Sequence, residues 1–183
     1  MILPELSLKM SSSTLLPGYS FLDAPPPLKT YLFLRKVNGL SPKSEVQGTG
    51  ALSGSWAFCT VVYIPPVSAS NDSRGGSESA FPEPEIVGMA RLIGDGGWYF
   101  CVSDMAVLPL HRRKGLGEAM LRRLLAKIKK EAPGALVTLS ADEPGRPLYK
   151  KIGFVESAPR SIGMWLELDK QDTGAQTNEP KEK

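Results

Sequence analysis

The sequence predicts one domain of mixed α/β (α+β) class, built around a parallel strand–helix–strand unit in its second half. Its 183 residues suit a single domain, because domains of roughly 100–150 residues are the most common. An apolar content of 42% with 22% charged residues is typical of globular proteins. The third observation is an amphipathic helical pattern near residue 120 that lies between two β-rich runs.

The N-terminal part begins with an expected irregular arm over residues 1–28. This arm runs into three consecutive prolines, which neither a helix nor an inner strand accepts. Residues 29–37 are rich in β-formers and predict the first strand. A short helix interrupted by glycines is expected from Ser41, where a capping serine precedes a proline and an acidic residue.

Short apolar runs bounded by turn residues predict the remaining strands. They cover residues 56–64, 85–93, 98–108, 135–140 and 161–168. Residues 67–84 are polar and predict a flexible insertion, for which a substrate lid is the functional alternative. The polar tail over 169–183 is expected to be disordered.

Two helices are predicted in the second half. From residue 115 to residue 131 apolar positions recur at three- and four-residue steps, which indicates a helix with a basic outer face. We interpret this face as a solvated surface and expect no nucleic-acid partner, because exposed aromatic residues are not interleaved with its charges. A shorter helix is expected over 145–152.

The cysteines and the single histidine argue against a metal centre. Cys59 and Cys101 each lie in an apolar run and are expected to be reduced, buried thiols. No stretch reaches the roughly 18 apolar residues needed to span a bilayer, and the first ten residues lack the basic start of a signal peptide. We therefore expect a cytoplasmic or nuclear protein that is neither secreted nor bound to a membrane.

The most informative segment runs from Val107 to Glu118, where a strand ends, a basic loop follows and the long helix begins. A helix N-terminus offers unpaired N–H groups and partial positive charge to an anion. Gly115 and Gly117 let the backbone approach that anion without a side chain in the way. The segment suits a pyrophosphate, although it matches neither the Walker pattern nor the dinucleotide fingerprint. A plain helix start with a solvated basic face is the structural alternative.

Two blocks of the sequence resemble GNAT acetyltransferases. The pattern R-x-x-G-x-G over Arg112–Gly117 is similar to the family's Q/R-x-x-G-x-G/A motif, and Asp104–Val107 precedes it at the family's spacing. Tyr149–Phe154 resembles the family's Y-x-x-x-G-F segment, and Leu139–Glu143 its L-x-x-D-E block. Both blocks are most similar to small-amine members, including glucosamine-6-phosphate N-acetyltransferases. Gly145 stands where many relatives have an asparagine that touches the cofactor.

The resemblance implies both a fold and an activity. The fold would be one GNAT-type domain over residues 29–168, with a twisted, mostly antiparallel sheet whose parallel strands near 98–108 and 135–140 splay apart between flanking helices. The activity would be direct transfer of acetyl from acetyl-CoA, a co-substrate used without a metal, to a small primary amine such as an amino sugar, polyamine, arylalkylamine or amino acid. Protein or peptide acetylation, or acetyl-CoA binding without catalysis, are the alternatives. Dimers are frequent in the resembled family, so a homodimer is left open.

The resemblance also implies a cofactor site. The pantetheine arm would lie along the strand that ends at Val107, and the pyrophosphate would lie against the turn from Arg112 onward. The implied cofactor-binding residues are Met105, Ala106, Val107, Arg112, Arg113, Lys114, Gly115, Leu116, Gly117, Glu118, Asp142 and Tyr149.

Acetyl transfer to an amine requires a neutral amine, a stabilised oxyanion and a proton for the leaving thiolate. Tyr149 is the candidate acid, because the resemblance places this tyrosine at the cofactor sulfur. A main-chain N–H near Met105 would polarise the thioester carbonyl. Asp104 is the first candidate for the base, and strand alternation would put it on the face of Phe100, Val102 and Ala106. It could equally anchor the substrate ammonium group or pair with a basic side chain.

Other reactive side chains are weaker candidates. Asp142, Glu85 and Asp95 are alternative bases, and Asp95 is better explained as a turn residue in a glycine-rich segment. Cys101 has no base beside it in sequence, so a core role is favoured over that of a nucleophile. His111 is expected to be a solvent-exposed spacer before the turn.

Overall fold

A computed structural model describes residues 16–66, 83–166 and 168, which form a five-stranded sheet flanked by helices. The strands are β1 (Tyr19–Leu22), β2 (Ala57–Tyr63), β3 (Glu85–Gly94), β4 (Tyr99–Val107) and β5 (Leu136–Leu139). The helices are α1 (Leu28–Val37), α2 (Glu45–Ser53), α3 (Leu116–Glu131) and α4 (Arg146–Ile152). Single 3₁₀ turns cover Pro109–His111 and Glu143–Gly145.

The sheet has the strand order β1-β2-β3-β4-β5. The first four strands are antiparallel neighbours, whereas β4 and β5 are parallel, so the predicted mixed sheet with one parallel pair is confirmed. Strand β5 pairs only with Tyr99–Val102 of β4. Within the described residues, the last part of β4, from Ser103 to Val107, therefore has no strand on that side.

Helix α3 is held by a buried apolar face. Its side chains at Leu116, Met120, Leu121, Leu124 and Ile128 are buried and pack on the β2–β4 part of the sheet. Full burial of one such side chain is worth roughly 1.5–3 kcal/mol, so together they fix the axis of the helix and the position of its N-terminus. The helix predicted over 115–131 is confirmed, as are the strands predicted near 56–64, 85–93, 98–108 and 135–140.

Helix α1 covers the opposite face of the sheet. Tyr31 and Leu34 are buried there against Met89 and Ala106. The prediction of a strand over 29–37 is therefore wrong. The buried positions Tyr31, Leu34 and Arg35 follow a helical spacing, and their packing against the sheet overrides the β-propensity of the segment.

Three further predictions about local structure need correction. Within the arm expected to be irregular, Tyr19–Leu22 form the edge strand β1, because alternate residues pack into the core beside α3. Helix α2 starts at Glu45 rather than near Ser41, since the side chains of Ser44 and Gln47 cap it reciprocally. Residues 161–166 form no strand and are exposed. Residues 1–15, most of the 67–84 insertion and the 169–183 tail lie outside the described residues.

Candidate active site

A cleft of about 460 Å³ opens at the N-terminus of α3, between this helix and α4. Its volume is in the range of ligand pockets, which is roughly 300–1,000 Å³. Seven of the predicted cofactor residues line it: Val107, Arg112, Arg113, Gly115, Leu116, Gly117 and Glu118. His111, Pro147, Leu148 and Lys151 complete the lining.

The backbone of the turn before α3 is shaped for an anion. Arg113 and Gly115 have φ of 62° and 76°, both left-handed, while Lys114 between them does not have a positive φ. Such alternation is the backbone pattern of anion-binding nests. Gly115 is the N-cap of α3 and has no side chain to cap the first turn, so the N–H groups of that turn remain available to a ligand.

The two glycines of the motif are favoured at their positions for different physical reasons. Gly115 needs its left-handed backbone, which glycine adopts at little cost. A Cβ on Gly117 would meet Leu148 Cδ2 at 3.5 Å and Met105 Cε at 3.8 Å, which are ordinary contact distances. The surrounding side chains would therefore tolerate a small side chain at Gly117. Because Gly117 lines the cleft, the lack of a side chain there leaves room for a ligand instead.

The basic side chains of the turn are used unequally. The guanidinium of Arg112 donates to the carbonyl oxygen of Val107 at 3.2 Å and to Asn38 Oδ1 at 2.9 Å, so it ties the turn to the ends of β4 and α1. Lys114 Nζ donates to the Tyr19 hydroxyl at 2.9 Å and lies outside the cleft lining. Arg113 is exposed, and its side chain makes no hydrogen bond or ion pair with the described residues.

Lys151 is a site residue that the sequence did not indicate. It lies on α4, and its Nζ donates to Glu118 Oε2 on α3 at 2.6 Å, while Arg122 occupies the other carboxylate oxygen. The hydrogen bond from Lys151 is the main reason that the pKa of Glu118 is lowered. This ion pair spans the cleft and brings a second cation close to the helix N-terminus, an arrangement that only tertiary structure creates.

His111 is not the exposed spacer that was predicted. It is 8% exposed, its Nδ1 lies 2.8 Å from the Tyr19 hydroxyl, and its ring meets those of Tyr19 and Tyr63 edge-on. The correction follows from β1, because that strand brings Tyr19 against the start of the turn. His111 therefore packs the turn onto the edge of the sheet.

Tyr149 lies beside the end of β4 that has no β5 neighbour among the described residues. Its hydroxyl is 3.7 Å from Met105 Sδ, and its ring would lie 2.9 Å from a Cβ on Gly145. Glycine at 145 thus leaves room for the tyrosine ring. Burial, followed by the nearby charge of Asp142, raises the pKa of Tyr149 above its ordinary value. The phenol therefore stays protonated at neutral pH.

The other predicted cofactor residues lie around this point. Met105 reaches toward Tyr149, whereas the side chain of Ala106 is buried beneath α1, so that only its main chain is open to a ligand. The backbone oxygen of Asp142 accepts from the N–H groups of Gly145 and Arg146 and begins the turn into α4. Asp142 lies outside the cleft lining and acts on Tyr149 through its charge.

Asp104 lies on the opposite side of β4 from Tyr149. Tyr31 and Arg35 of α1 and Arg91 of β3 all donate to its carboxylate. Burial alone would raise the pKa of Asp104, but the hydrogen bonds from Tyr31 and Arg91 and the charges of both arginines together lower it. The sequence left Asp104 three roles: a base, an anchor for the substrate ammonium group or a partner of basic side chains. These contacts fit the third role.

Asp104 does not share a face of β4 with Phe100 and Val102, contrary to what strand alternation predicted. Its side chain contacts α1, as does that of Ala106, whereas Phe100 and Val102 belong to the core beside α3. The reason is a β-bulge: Arg91 pairs with Ser103 and Met89 with Ala106, so one residue of β3 faces two of β4. Beyond the bulge every side chain changes face.

The remaining candidates have structural environments. Asp95 accepts hydrogen bonds from the N–H groups of Gly97, Trp98 and Tyr99, which confirms it as a turn residue. Cys59 is buried, and desolvation raises the pKa of its thiol to about 12, so it is inert as a nucleophile. Cys101 is half-buried rather than buried as predicted, and among the described residues its thiol contacts only the Val102 carbonyl oxygen.

Comparison with known proteins agrees with this geometry. Residues 80–156 match the family model described as an acetyltransferase (GNAT) domain. The GCN5-related N-acetyltransferase 2, chloroplastic, of Arabidopsis thaliana is 29% identical over 118 residues, which cover 64% of this chain and 45% of that protein. The chain spans less than half the length of the curated relatives it matches.

Solved structures give the same result. A probable acetyltransferase from meticillin-resistant Staphylococcus aureus superposes with a TM-score of 0.66 at 27% identity, over 81% of this chain and 98% of that chain. The glucosamine-6-phosphate N-acetyltransferase of Arabidopsis thaliana shares the fold, with a TM-score of 0.54 at 14% identity over 82% and 99% of the two chains. The match over residues 80–156 and the shared fold together identify a GNAT acetyltransferase domain in this part of the chain.

Within residues 16–66, 83–166 and 168, no group of three or more His, Cys, Asp or Glu side chains is placed to hold a metal ion. No helix in the same ranges is long and apolar enough to cross a bilayer. The cytoplasmic or nuclear location and the homodimer remain predictions.

The two glycines of the turn give a matched test of the anion site. Gly117→Ala should leave the free energy of unfolding unchanged or raise it by up to about 1 kcal/mol, because alanine favours a helix. It should nevertheless weaken coenzyme A binding by roughly tenfold or more, since its methyl group enters the space of the ligand. Gly115→Ala should instead lower the free energy of unfolding by about 1–2 kcal/mol, because its backbone is left-handed.

Thermal unfolding and calorimetric titration with coenzyme A measure the two effects separately. If Gly117→Ala bound coenzyme A as tightly as the wild type, the first turn of α3 would not be the diphosphate site. A loss of affinity accompanied by an equal loss of stability would mean that Gly117 serves the fold rather than the ligand.

Proposed function

We propose that this chain transfers an acetyl group directly from acetyl-CoA to the primary amine of a small molecule. The observation that carries the proposal is the continuity of two open features. The cleft at the N-terminus of α3 is joined through Val107 to the stretch of β4 that has no β5 neighbour, and Tyr149 lies beside that stretch.

The diphosphate of acetyl-CoA fits the turn before α3. The uncapped N–H groups of Leu116, Gly117 and Glu118 supply donors, and the helix dipole adds partial positive charge. Arg113 and Lys151 supply full charges at the mouth of the cleft. Lys151 would exchange part of its contact with Glu118 for a phosphate oxygen, and this exchange would draw α4 toward the ligand.

The pantetheine arm fits the exposed side of β4. From Ser103 to Val107 the strand has a partner only in β3 among the described residues, so its other backbone groups can pair with an extended ligand as with an added strand. The side chains of Ala106 and Asp104 point toward α1, which leaves Met105 and Val107 on the side of the cleft and of Tyr149.

Acetyl-CoA supplies the activated acetyl group when bound, and the chain supplies orientation and a proton. In this proposal the main-chain N–H of Met105 polarises the thioester carbonyl. As the amine nitrogen bonds to the carbonyl carbon and the C–S bond breaks, Tyr149, protonated at neutral pH and adjacent to Met105, gives its proton to the departing thiolate. The amine nitrogen loses one proton to solvent and Tyr149 regains one from solvent, so the products are the amide and the free thiol. Asp104 does not serve as the base in this proposal, because three donors already surround its carboxylate.

A small amine is the acceptor class that the sequence blocks favour, since they are most similar to small-amine acetyltransferases. A protein or peptide acceptor is the second candidate. It is favoured by the exposed apolar side chains of residues 162–166, because contiguous apolar surface is typical of protein contacts.

A turnover screen tests the function and separates these two acceptors. Release of coenzyme A would be followed with a thiol reagent across a panel of amino sugars, polyamines, arylalkylamines and amino acids, beside lysine peptides and N-terminal peptides. The proposal expects release with one class of small amine and none with peptides, and the opposite pattern would assign a protein acceptor. Thermal stabilisation by acetyl-CoA, about 2.7 kcal/mol at a hundredfold excess over Kd, without release on any amine would indicate a non-catalytic module.

Tyr149→Phe tests the acid. Removing the hydroxyl should lower kcat by roughly 10²–10⁴-fold, the usual contribution of a general acid, and should leave the Kd of acetyl-CoA nearly unchanged. Tyr99→Phe is the matched control, because Tyr99 lies at the start of β4, outside the site, and its hydroxyl contacts Thr138 of β5. An unaltered kcat in Tyr149→Phe would remove Tyr149 from the acid role.

The pH dependence of the reaction follows from the same residue. A raised pKa keeps the acid form of Tyr149 present at all pH values below its ordinary pKa of about 10, so kcat should not fall on the alkaline side before that point. With no carboxylate base, kcat/KM should rise with pH as the acceptor amine loses its proton. A pH–rate profile that declined between pH 7 and 9 would contradict this assignment.

A further inference from the structure

A buried cluster of charged side chains lies under β4, on the side away from Tyr149. Its members are Tyr31, Arg35, Arg91 and Asp104, whose ionic side chains are only 8–12% exposed. Arg35 contacts one carboxylate oxygen of Asp104, while Tyr31 and Arg91 donate to the other at 2.5 Å. Two cations and a hydroxyl thus share one carboxylate, which is more than an ordinary structural ion pair requires.

The backbone at Asp104 has an unusual conformation. Its φ is 51°, in the left-handed region that residues other than glycine seldom adopt, although aspartate tolerates it better than most. Asp104 and Met105 together face the single residue Ala90 of β3, so Asp104 is the first residue of the bulge. A bulge leaves one residue outside the regular ladder and turns the next side chain to the other face.

The carboxylate is held from several elements at once. The guanidinium of Arg35 donates to Asp104 and also, at 2.8 Å, to the carbonyl oxygen of Ser41 in the loop between α1 and α2. The guanidinium of Arg91 donates to Ser55 Oγ at 3.0 Å, just after α2. Each guanidinium is therefore hydrogen-bonded both to Asp104 and to a serine in a segment flanking α2, and the two arginines hold Asp104 in one place relative to the rest of the fold.

We propose that this cluster is a positioning device: by holding the Asp104 carboxylate, Tyr31, Arg35 and Arg91 fix the bulge of β4 and thereby the main chain of Met105. The inference rests on the proposed function, in which the Met105 N–H polarises the thioester. The bulge directs Met105 toward Tyr149, 3.7 Å from its hydroxyl, and the cluster holds it there from behind. Asp104 acts through Met105 and not on the substrate.

The charge balance explains why the cluster would release the bulge when the carboxylate is lost. Two guanidinium groups face a single negative charge, so neutralising Asp104 leaves two buried like charges next to each other. They would separate, and the left-handed residue would lose the contacts that compensate its conformation. The bulge would then be free to shift along β3.

Selective labelling tests the position of Met105 directly. The chain has six methionines, and in protein labelled with ¹⁵N-methionine the Met105 amide signal is the one that disappears in Met105→Leu. Tyr31→Phe removes one donor with little change of shape, and Asp104→Asn removes the charge. Both should shift or broaden the Met105 signal and leave those of Met120 and the exposed Met164 in place. Met89 packs against Tyr31, so its signal does not serve as a reference.

Kinetics give the second readout. In Tyr31→Phe and Asp104→Asn, kcat should fall by roughly tenfold or more, since small displacements in an active site are costly, while the Kd of acetyl-CoA should stay close to the wild-type value. The shape of the pH–rate profile should not change, whereas loss of a base would remove its acidic limb. Arg123→Gln, which breaks the exposed ion pair with Asp23, is the control and should alter neither readout.

The outcomes separate this inference from the proposed function. An unchanged Met105 signal in a folded Tyr31→Phe variant would overturn the positioning role, as would a lost acidic limb in Asp104→Asn. If the wild type turned over no amine, the proposed function would fail, but a shifted Met105 signal would still support the coupling between cluster and bulge. Should Asp104→Asn fail to fold, Tyr31→Phe alone decides.

Discussion

The arrangement of the site depends on one irregular strand. Strand β4 is a regular partner of both neighbours up to Val102, and then it separates from β5 and bulges against β3 within three residues. The separation leaves backbone groups that a ligand can pair with, and the bulge decides which side chains face that ligand. Without both features, Met105 and Tyr149 would not lie beside each other at the end of the cleft.

The second requirement is a rigid helix N-terminus at the end of the same strand. The turn between β4 and α3 can hold an anion only if its first amides stay in place, and the buried face of α3 supplies that rigidity. His111 and Arg112 add local support, because one packs on the tyrosines of the sheet edge and the other ties the turn to α1. Arg112 therefore both supports the turn and lines the cleft.

The sequence predicted what depends on local periodicity. Helix α3, strands β2 to β5 and the glycine turn were all indicated by the spacing of apolar and turn residues, and seven of the twelve predicted cofactor-binding residues line the cleft. Helix α1 was not, because Tyr31 and Leu34 fit both a strand composition and a helical face, and only packing against Met89 decides between them. The alternation of side chains along a regular strand cannot reveal a bulge, and for that reason Asp104 was predicted on the wrong face of β4. Lys151 reaches the site only through the docking of α4.

The two faces of β4 divide the work of the site. The face toward α4 lies beside Tyr149, the acid of the proposed reaction, whose environment keeps the phenol neutral. The face toward α1 carries full charges that never need to titrate, since the pKa of Asp104 is lowered and its partners are arginines. A fixed charge is useful where geometry must stay constant, and a neutral acid is useful where a proton must move. The residues Asp104 and Met105 are adjacent in sequence, yet the bulge sends one to each face. In the proposed function the bulge thereby connects the fixed charge to the main chain that polarises the thioester.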